Sequence, residues 1–192
     1  MDKIFRHAGP ADVDRICEIS RPFMASGALI VRQRAFFADH ITEFHVVEMD
    51  RDVVACVGAS RAADTVEIFN FVVGNNWQGL GMGDFLLSNL IARLSAAGSR
   101  TFILFSKTAG EWFLRYGFRP MEPTCVPAER LALNDPARGS IALYRVVDRV
   151  EGIPSARGPA EELVGRGPLR IRNAPNISSR PGIESPRRRN AS

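Results

Sequence analysis

Lysine is almost missing from this chain: of its 25 basic residues only Lys3 and Lys107 are lysines, and all the others are arginines. That bias speaks of codon composition more than of chemistry. Cysteine and histidine are scarce too, with three of each. Cys17, Cys56 and Cys125 are far apart, odd in number and each in or near an apolar pattern, which suits small core residues in a reducing compartment better than ligands or a disulfide framework. His7, His40 and His45 lack metal-type spacing with cysteine or carboxylate, so no metal is expected. No stretch of 18 apolar residues occurs, and Met1-Asp2-Lys3 does not open a secretory signal. The expectation is a soluble, cytoplasmic protein with no membrane partner.

An excess of charge of either sign is absent from most of the chain. Residues 1–148 hold 16 basic and 17 acidic residues and are near neutral, whereas 149–192 hold nine arginines and four acids. The basic isoelectric point belongs to that end alone. Gly, Pro, Ser and Arg dominate there and apolar residues stand singly, which reads as a disordered tail. Nucleic acid would be a partner only through it.

The body alternates strand and helix patterns. Lys3–Arg6 suits a short strand, and Pro10-Ala11-Asp12 opens a helix with Val13, Ile16, Cys17 and Ser20 inward; Pro22 ends or kinks it. Residues 27–31 form an apolar link, and a second helix is expected over Arg32–Glu43. Phe44–Met49 and Val53–Ser60 form a hairpin. Further on, Thr101–Phe105 reads as a strand, Thr108–Tyr116 as a short helix, Pro120–Pro136 as loop and Ser140–Val147 as a last strand. The order suits a mixed α/β sheet with helices on both faces.

One stretch carries chemistry: "EIFNFVVGNNWQGLGMGDFLL", Glu67 to Leu87. A β-branched and aromatic run, Glu67–Val73, reads as a buried strand. Gly74, Asn75 and Asn76 break it, Gln78 to Gly83 places glycines at alternate positions, and an apolar-striped helix follows to Ala97. The first N–H groups of a helix lack internal partners and carry partial positive charge, and glycines let an anion approach them. The spacing is not a dinucleotide fingerprint, and no Gly-Lys-Ser/Thr completes a P-loop.

The loop Gln78-x-x-Gly81-x-Gly83 resembles the pyrophosphate loop of the GNAT superfamily of acyl-CoA-dependent N-acyltransferases. The body, over roughly residues 4–147, is most similar to the acetyltransferase domain of N-acetylglutamate synthases. "ISRPFMASGALIVRQR", "ITEFHVVEMD" and "EWFLRYGF" resemble three further segments of that subfamily, in the same order. The resemblance implies a GNAT-like, mostly antiparallel sheet over residues 1–148 and acetyl-CoA as acyl donor. Its pantetheine would lie along Phe71, Val72 and Val73, and its pyrophosphate at Gln78, Gly79, Gly81, Gly83 and Asp84.

The acceptor amine must lose a proton to attack. Glu67 matches the glutamate base of histone-acetylating members, and a solvated strand-end carboxylate is the alternative. Many members place a tyrosine as leaving-group donor where this chain has Phe113; Tyr116 lies about 60° further round the helix. The subfamily's arginine pair falls on Val31 and Arg32, with Arg34 beyond. Together with Lys107, Arg138 and Ser140 these are the candidate substrate ligands for a glutamate-like amino acid. A protein, antibiotic or other amine stays open as acceptor, as does a non-catalytic acetyl-CoA-binding or RNA-associated module. Whether the chain forms a homodimer is also open.

Overall fold

The computed structural model describes residues 3–122 and 139–148. Seven strands form one sheet: β1 (Lys3–His7), β2 (Phe44–Met49), β3 (Asp52–Ala62), β4 (Thr65–Val73), β5 (Thr101–Ser106), β6 (Arg119–Pro120) and β7 (Ile141–Val146). Their order is β1-β2-β3-β4-β5-β7-β6. Every neighbouring pair is antiparallel except β4 and β5. A parallel pair needs a crossover, and the helix α3 (Met82–Ala96) supplies it. The other helices are α1 (Val13–Ala25), α2 (Arg34–Asp39) and α4 (Gly110–Leu114). This is the mixed sheet that the element order suits and the mostly antiparallel one that the family resemblance implies.

Strand alternation divides the apolar residues between two cores. Val47 and Met49 of β2 pack with Leu86, Leu87 and Leu90 of α3 and Phe113 of α4. Their neighbours Phe44 and Val46 pack with Val13, Ile16 and Ile19 of α1 and Phe37 of α2. Helices therefore cover both faces. Leu86 and Leu90 are wholly buried, each worth about 1.5–3 kcal/mol against exposure. The β2–β3 hairpin closes on Asp50 and Arg51, both with positive φ (49° and 69°), the signature of a tight turn whose twist matches the strands.

Two helix expectations change. Pro22 does not end α1, which runs on to Ala25. Proline costs a helix its own N–H but leaves its carbonyl, and Pro22 O accepts Ser26 N–H at 3.0 Å. The second helix is shorter than Arg32–Glu43. It stops at Asp39, and a 3-10 turn covers Ile41–Glu43. His40 breaks it: its backbone N–H and its ring Nδ1 both donate to Phe36 O, at 3.1 and 2.9 Å, with φ at −108° and ψ at 16°.

His45 is 2% exposed, and neither ring nitrogen finds a partner among the described residues. It stacks on Phe5 and lies against His7. Burial, with His7 and Arg93 adding to it, pushes its pKa down to about 4, so it is a neutral aromatic core residue. Among the described residues no group of three or more His, Cys, Asp or Glu could hold a metal, and no helix is long and apolar enough to cross a membrane. Residues 123–138, with Cys125, Arg138 and most of the loop expected over Pro120–Pro136, and residues 149–192, where a tail is expected, lie outside the described residues.

Candidate active site

The site begins where two strands part. β4 and β5 pair from Thr65↔Thr101 only to Ile68↔Leu104, although β4 runs to Val73 and β5 to Ser106. Along their other edges β5 stays paired with β7 and β4 with β3. A fork opens between them beyond Ile68. At its apex β4 carries one residue more than β3 across the register from Gly58↔Phe69 to Cys56↔Val72. The extra residue is accommodated at Asn70, whose φ is 48°. Such a bulge twists its strand and interrupts the side-to-side alternation. Before it, Ile68 faces α3 and Phe69 faces α1; after it, Phe71 and Val73 face α3 and Val72 faces α1. The residues Phe71, Val72 and Val73 thus line the parted length of β4.

The glycine loop lies at the open end of the fork, and its glycines have different reasons. Gly79 and Gly81 have φ of 75° and 73°, and a Cβ on either would meet no atom within 4 Å. Backbone conformation, not crowding, requires them. Gly83 is the reverse: it is helical, and a Cβ there would come 3.2 Å from the Trp112 ring. Gln78 donates its amide to Val73 O at 3.3 Å and so folds the loop back on the strand end. The first bond closed by α3 runs from Phe85 N–H to Gly81 O. The N–H groups of Met82, Gly83 and Asp84 are left for a ligand by helix geometry alone. Asp84 turns its carboxylate aside to accept the Tyr116 hydroxyl, and that bond raises the Tyr116 pKa.

Two of the acceptor candidates, Glu67 and Arg32, share the other face. Glu67 stands opposite Ser60 on β3 and Ile103 on β5, one residue short of the apex. It shares a strand face with Phe69, two positions on. Over Phe69 and Phe36 lies the Arg32 guanidinium, 5.0 and 3.8 Å from the ring centroids. Glu67 and Arg32 are therefore on one face. Lys107, just past β5, extends its ammonium to 3.7 Å from where a Cβ of Gly27 would stand, in the link that carries Arg32. Ser140 is half-buried immediately before β7. Arg34 goes elsewhere: it ion-pairs with Asp14 of α1 at 2.6 Å, well exposed, and holds that carboxyl below its usual range. Arg138 lies outside the described residues.

Three features escaped the sequence reading. Asn70 reads as one polar residue in a strand, and only the register reveals a bulge. Trp112 packs between Phe71, Phe113 and Tyr116, with ring centroids 5.4, 4.9 and 4.4 Å away, and so ties α4 to the fork. Tyr116 is bound to Asp84 beside the glycine loop. A pocket of about 240 Å³ is lined by Arg15, Glu18, Ile19 and Pro22 of α1, Val54 of β3 and Gly74 to Trp77, the turn that follows β4.

A sheet forked beside a bulge, with a glycine loop leading into a helix start, defines an acyl-CoA-type transferase architecture. The acetyltransferase (GNAT) domain family matches residues 28–130, and the chain belongs to that family. The amino-acid acetyltransferase of Azotobacter vinelandii is 31% identical over 137 residues, covering 70% of this chain and 32% of that protein. The N-acetylglutamate synthase of Neisseria gonorrhoeae, solved with coenzyme A and N-acetyl-glutamate, superposes with a TM-score of 0.73 at 28% identity. That likeness covers 78% of this chain and 36% of the synthase. The chain spans about a third of the length of these relatives. The ribosomal-protein-S18-alanine N-acetyltransferase of Escherichia coli shares the fold over 79% of this chain and 99% of its own, with a TM-score of 0.60 at 17% identity.

Proposed function

We propose that this chain is an acetyl-CoA-dependent N-acetyltransferase whose acceptor is the amine of a glutamate-like amino acid. The observation that carries it is the fork between β4 and β5, which runs straight into the glycine loop and the α3 N-terminus. Acetyl-CoA fits such a place. Its pantetheine amides need partners in an extended row, as the parted edge of β4 at Phe71, Val72 and Val73 offers. Its pyrophosphate needs N–H donors and a positive dipole, as Gly79, Gly81, Gly83 and Asp84 offer.

In the reaction one bond forms, from amine nitrogen to acetyl carbon, and the carbon–sulfur bond breaks. Glu67 takes the amine proton, directly or through one water, from its place near the fork's apex. Backbone N–H groups following the bulge polarise the acyl oxygen. The sulfur departs without a tyrosine at the usual place, since Phe113 is 4% exposed and fills the core. A thiol of pKa near 8.5 leaves readily enough as thiolate.

Arg32, stacked and oriented, holds the acceptor carboxylate, with Lys107 and Ser140 completing that wall. Arg34 is already committed to Asp14. Val31, 70% exposed, stands where the synthase pattern has its first arginine. These two facts favour an acceptor with fewer anionic groups than glutamate as the second reading. Thiol release from acetyl-CoA, measured with glutamate, other amino acids and simple amines, tests both. Turnover with glutamate is expected; turnover only with acceptors lacking a side-chain carboxylate selects the second reading. No acceptor-dependent release with any amine overturns the enzyme altogether.

A further inference from the structure

The bulge that opens the fork is held by side chains no part of the reaction uses. Asn70 is 7% exposed, and its carboxamide points into the core beneath α1. Its Nδ2 donates to the Ser20 hydroxyl at 3.0 Å and approaches Cys56 Sγ at 3.6 Å. Ser20 belongs to α1 and Cys56 to β3, and both are wholly buried. Ser20 Oγ and Cys56 Sγ are 3.9 Å apart, and the thiol lies 4.0 Å from Asn70 O. Three polar side chains from three elements therefore meet inside an apolar core.

A buried polar group that loses its partner costs far more than it gains when bonded, so such clusters fix one geometry. The backbone supplies the second half of the case. Asn70 is left-handed, a conformation asparagine tolerates better than most residues with a Cβ. Without the bulge, β4 would keep its alternation past Ile68 and present Phe71 and Val73 to the wrong face. α1 also leads, through residues 26–31, to Arg32. The cluster thus joins the strand of the donor side to the helix of the acceptor side.

We propose that Asn70 is a positioning residue: anchored on Ser20 and Cys56, it locks β4 in the bulge that opens the fork and directs the backbone N–H groups after it. The catalytic consequence rests on the acetyltransferase reading above; the lock itself does not. Two substitutions isolate it. Asn70→Gly permits the left-handed backbone while removing the anchor, and Ser20→Ala removes only the acceptor.

The test pairs amide hydrogen exchange with steady-state kinetics on folded protein, checked by circular dichroism. Exchange at the Phe71 and Val72 amides should quicken at least about tenfold in both variants, while the α3 amides stay as in the parent. The kcat should fall about tenfold to a hundredfold, with the KM for acetyl-CoA changed far less, because misplacement by about 1 Å suffices for such a loss. Cys56→Ala, which removes the more distant partner, should show a smaller fall than Ser20→Ala. Parental exchange at Phe71 and Val72 in both variants overturns the lock, whatever the parent's activity. Quickened exchange with kcat within about twofold of the parent overturns its catalytic role. A parent that turns over no amine fails the acetyltransferase reading alone, and the exchange arm then decides the lock.

Discussion

The two sides of the fork are built on different principles. On the proposed donor side the ligand groups are backbone: the edge of β4 and the N–H groups at the start of α3. Glycines at 79 and 81, a Gln78–Val73 bond and a tryptophan on Gly83 shape that backbone. On the proposed acceptor side the groups are side chains of separate elements: Glu67 on β4, Arg32 in the link before α2, Lys107 beyond β5. Backbone recognition tolerates change in most side chains around it. Side-chain recognition depends on each residue and on where each one is led. One side is fixed by conformation, the other by identity.

The largest effect should fall where the two sides meet. Glu67→Gln keeps size and hydrogen bonding but removes the base, so kcat should drop about a hundredfold or more, most severely at low pH where the amine holds its proton. Little change would move the proton to another acceptor and leave Glu67 a strand-end carboxylate. Next comes Arg32→Met. Loss of a charge-assisted bond worth about 1.5–3 kcal/mol should raise the acceptor KM roughly tenfold to a hundredfold and spare that for acetyl-CoA. Gly81→Val should do the opposite. A β-branched residue in a left-handed conformation costs about 1–2 kcal/mol, so coenzyme A affinity should weaken about tenfold with the acceptor KM unmoved. If either variant shifts both constants together, the division of labour fails. Arg34→Ala should matter least, with kinetics within about twofold of the parent, because an exposed ion pair to Asp14 contributes little.

This contrast also explains what was legible in the sequence. The donor side is local: strand, turn, glycine loop and helix follow within Glu67–Leu87, and each carries its own signal. Even there the glycines looked alike, and only structure separates Gly79 and Gly81, required by φ, from Gly83, crowded by Trp112. The acceptor side is not local. Arg32 and Arg34 are two residues apart and equally basic. Phe69 and Phe36 on one hand, and Asp14 on the other, decide which faces the sheet and which faces solvent. Asn70 was hidden for the same reason. An asparagine inside "EIFNFVV" carries no mark of a bulge, because its partners, Ser20 and Cys56, lie 50 and 14 residues away. Element boundaries slipped where side chains cap the backbone, as His40 does to Phe36, or where a proline keeps its carbonyl in use, as Pro22 does.

The central claim is that the donor occupies the β4–β5 fork and its glycine loop. Titrating coenzyme A into the protein while following backbone amide resonances tests it most directly. Saturable shifts should concentrate at Phe71, Val72 and Val73 and from Gly79 to Asp84, and they should weaken in Gly81→Val. Shifts confined to the pocket of Arg15, Glu18 and Trp77, with the fork unmoved, would contradict it.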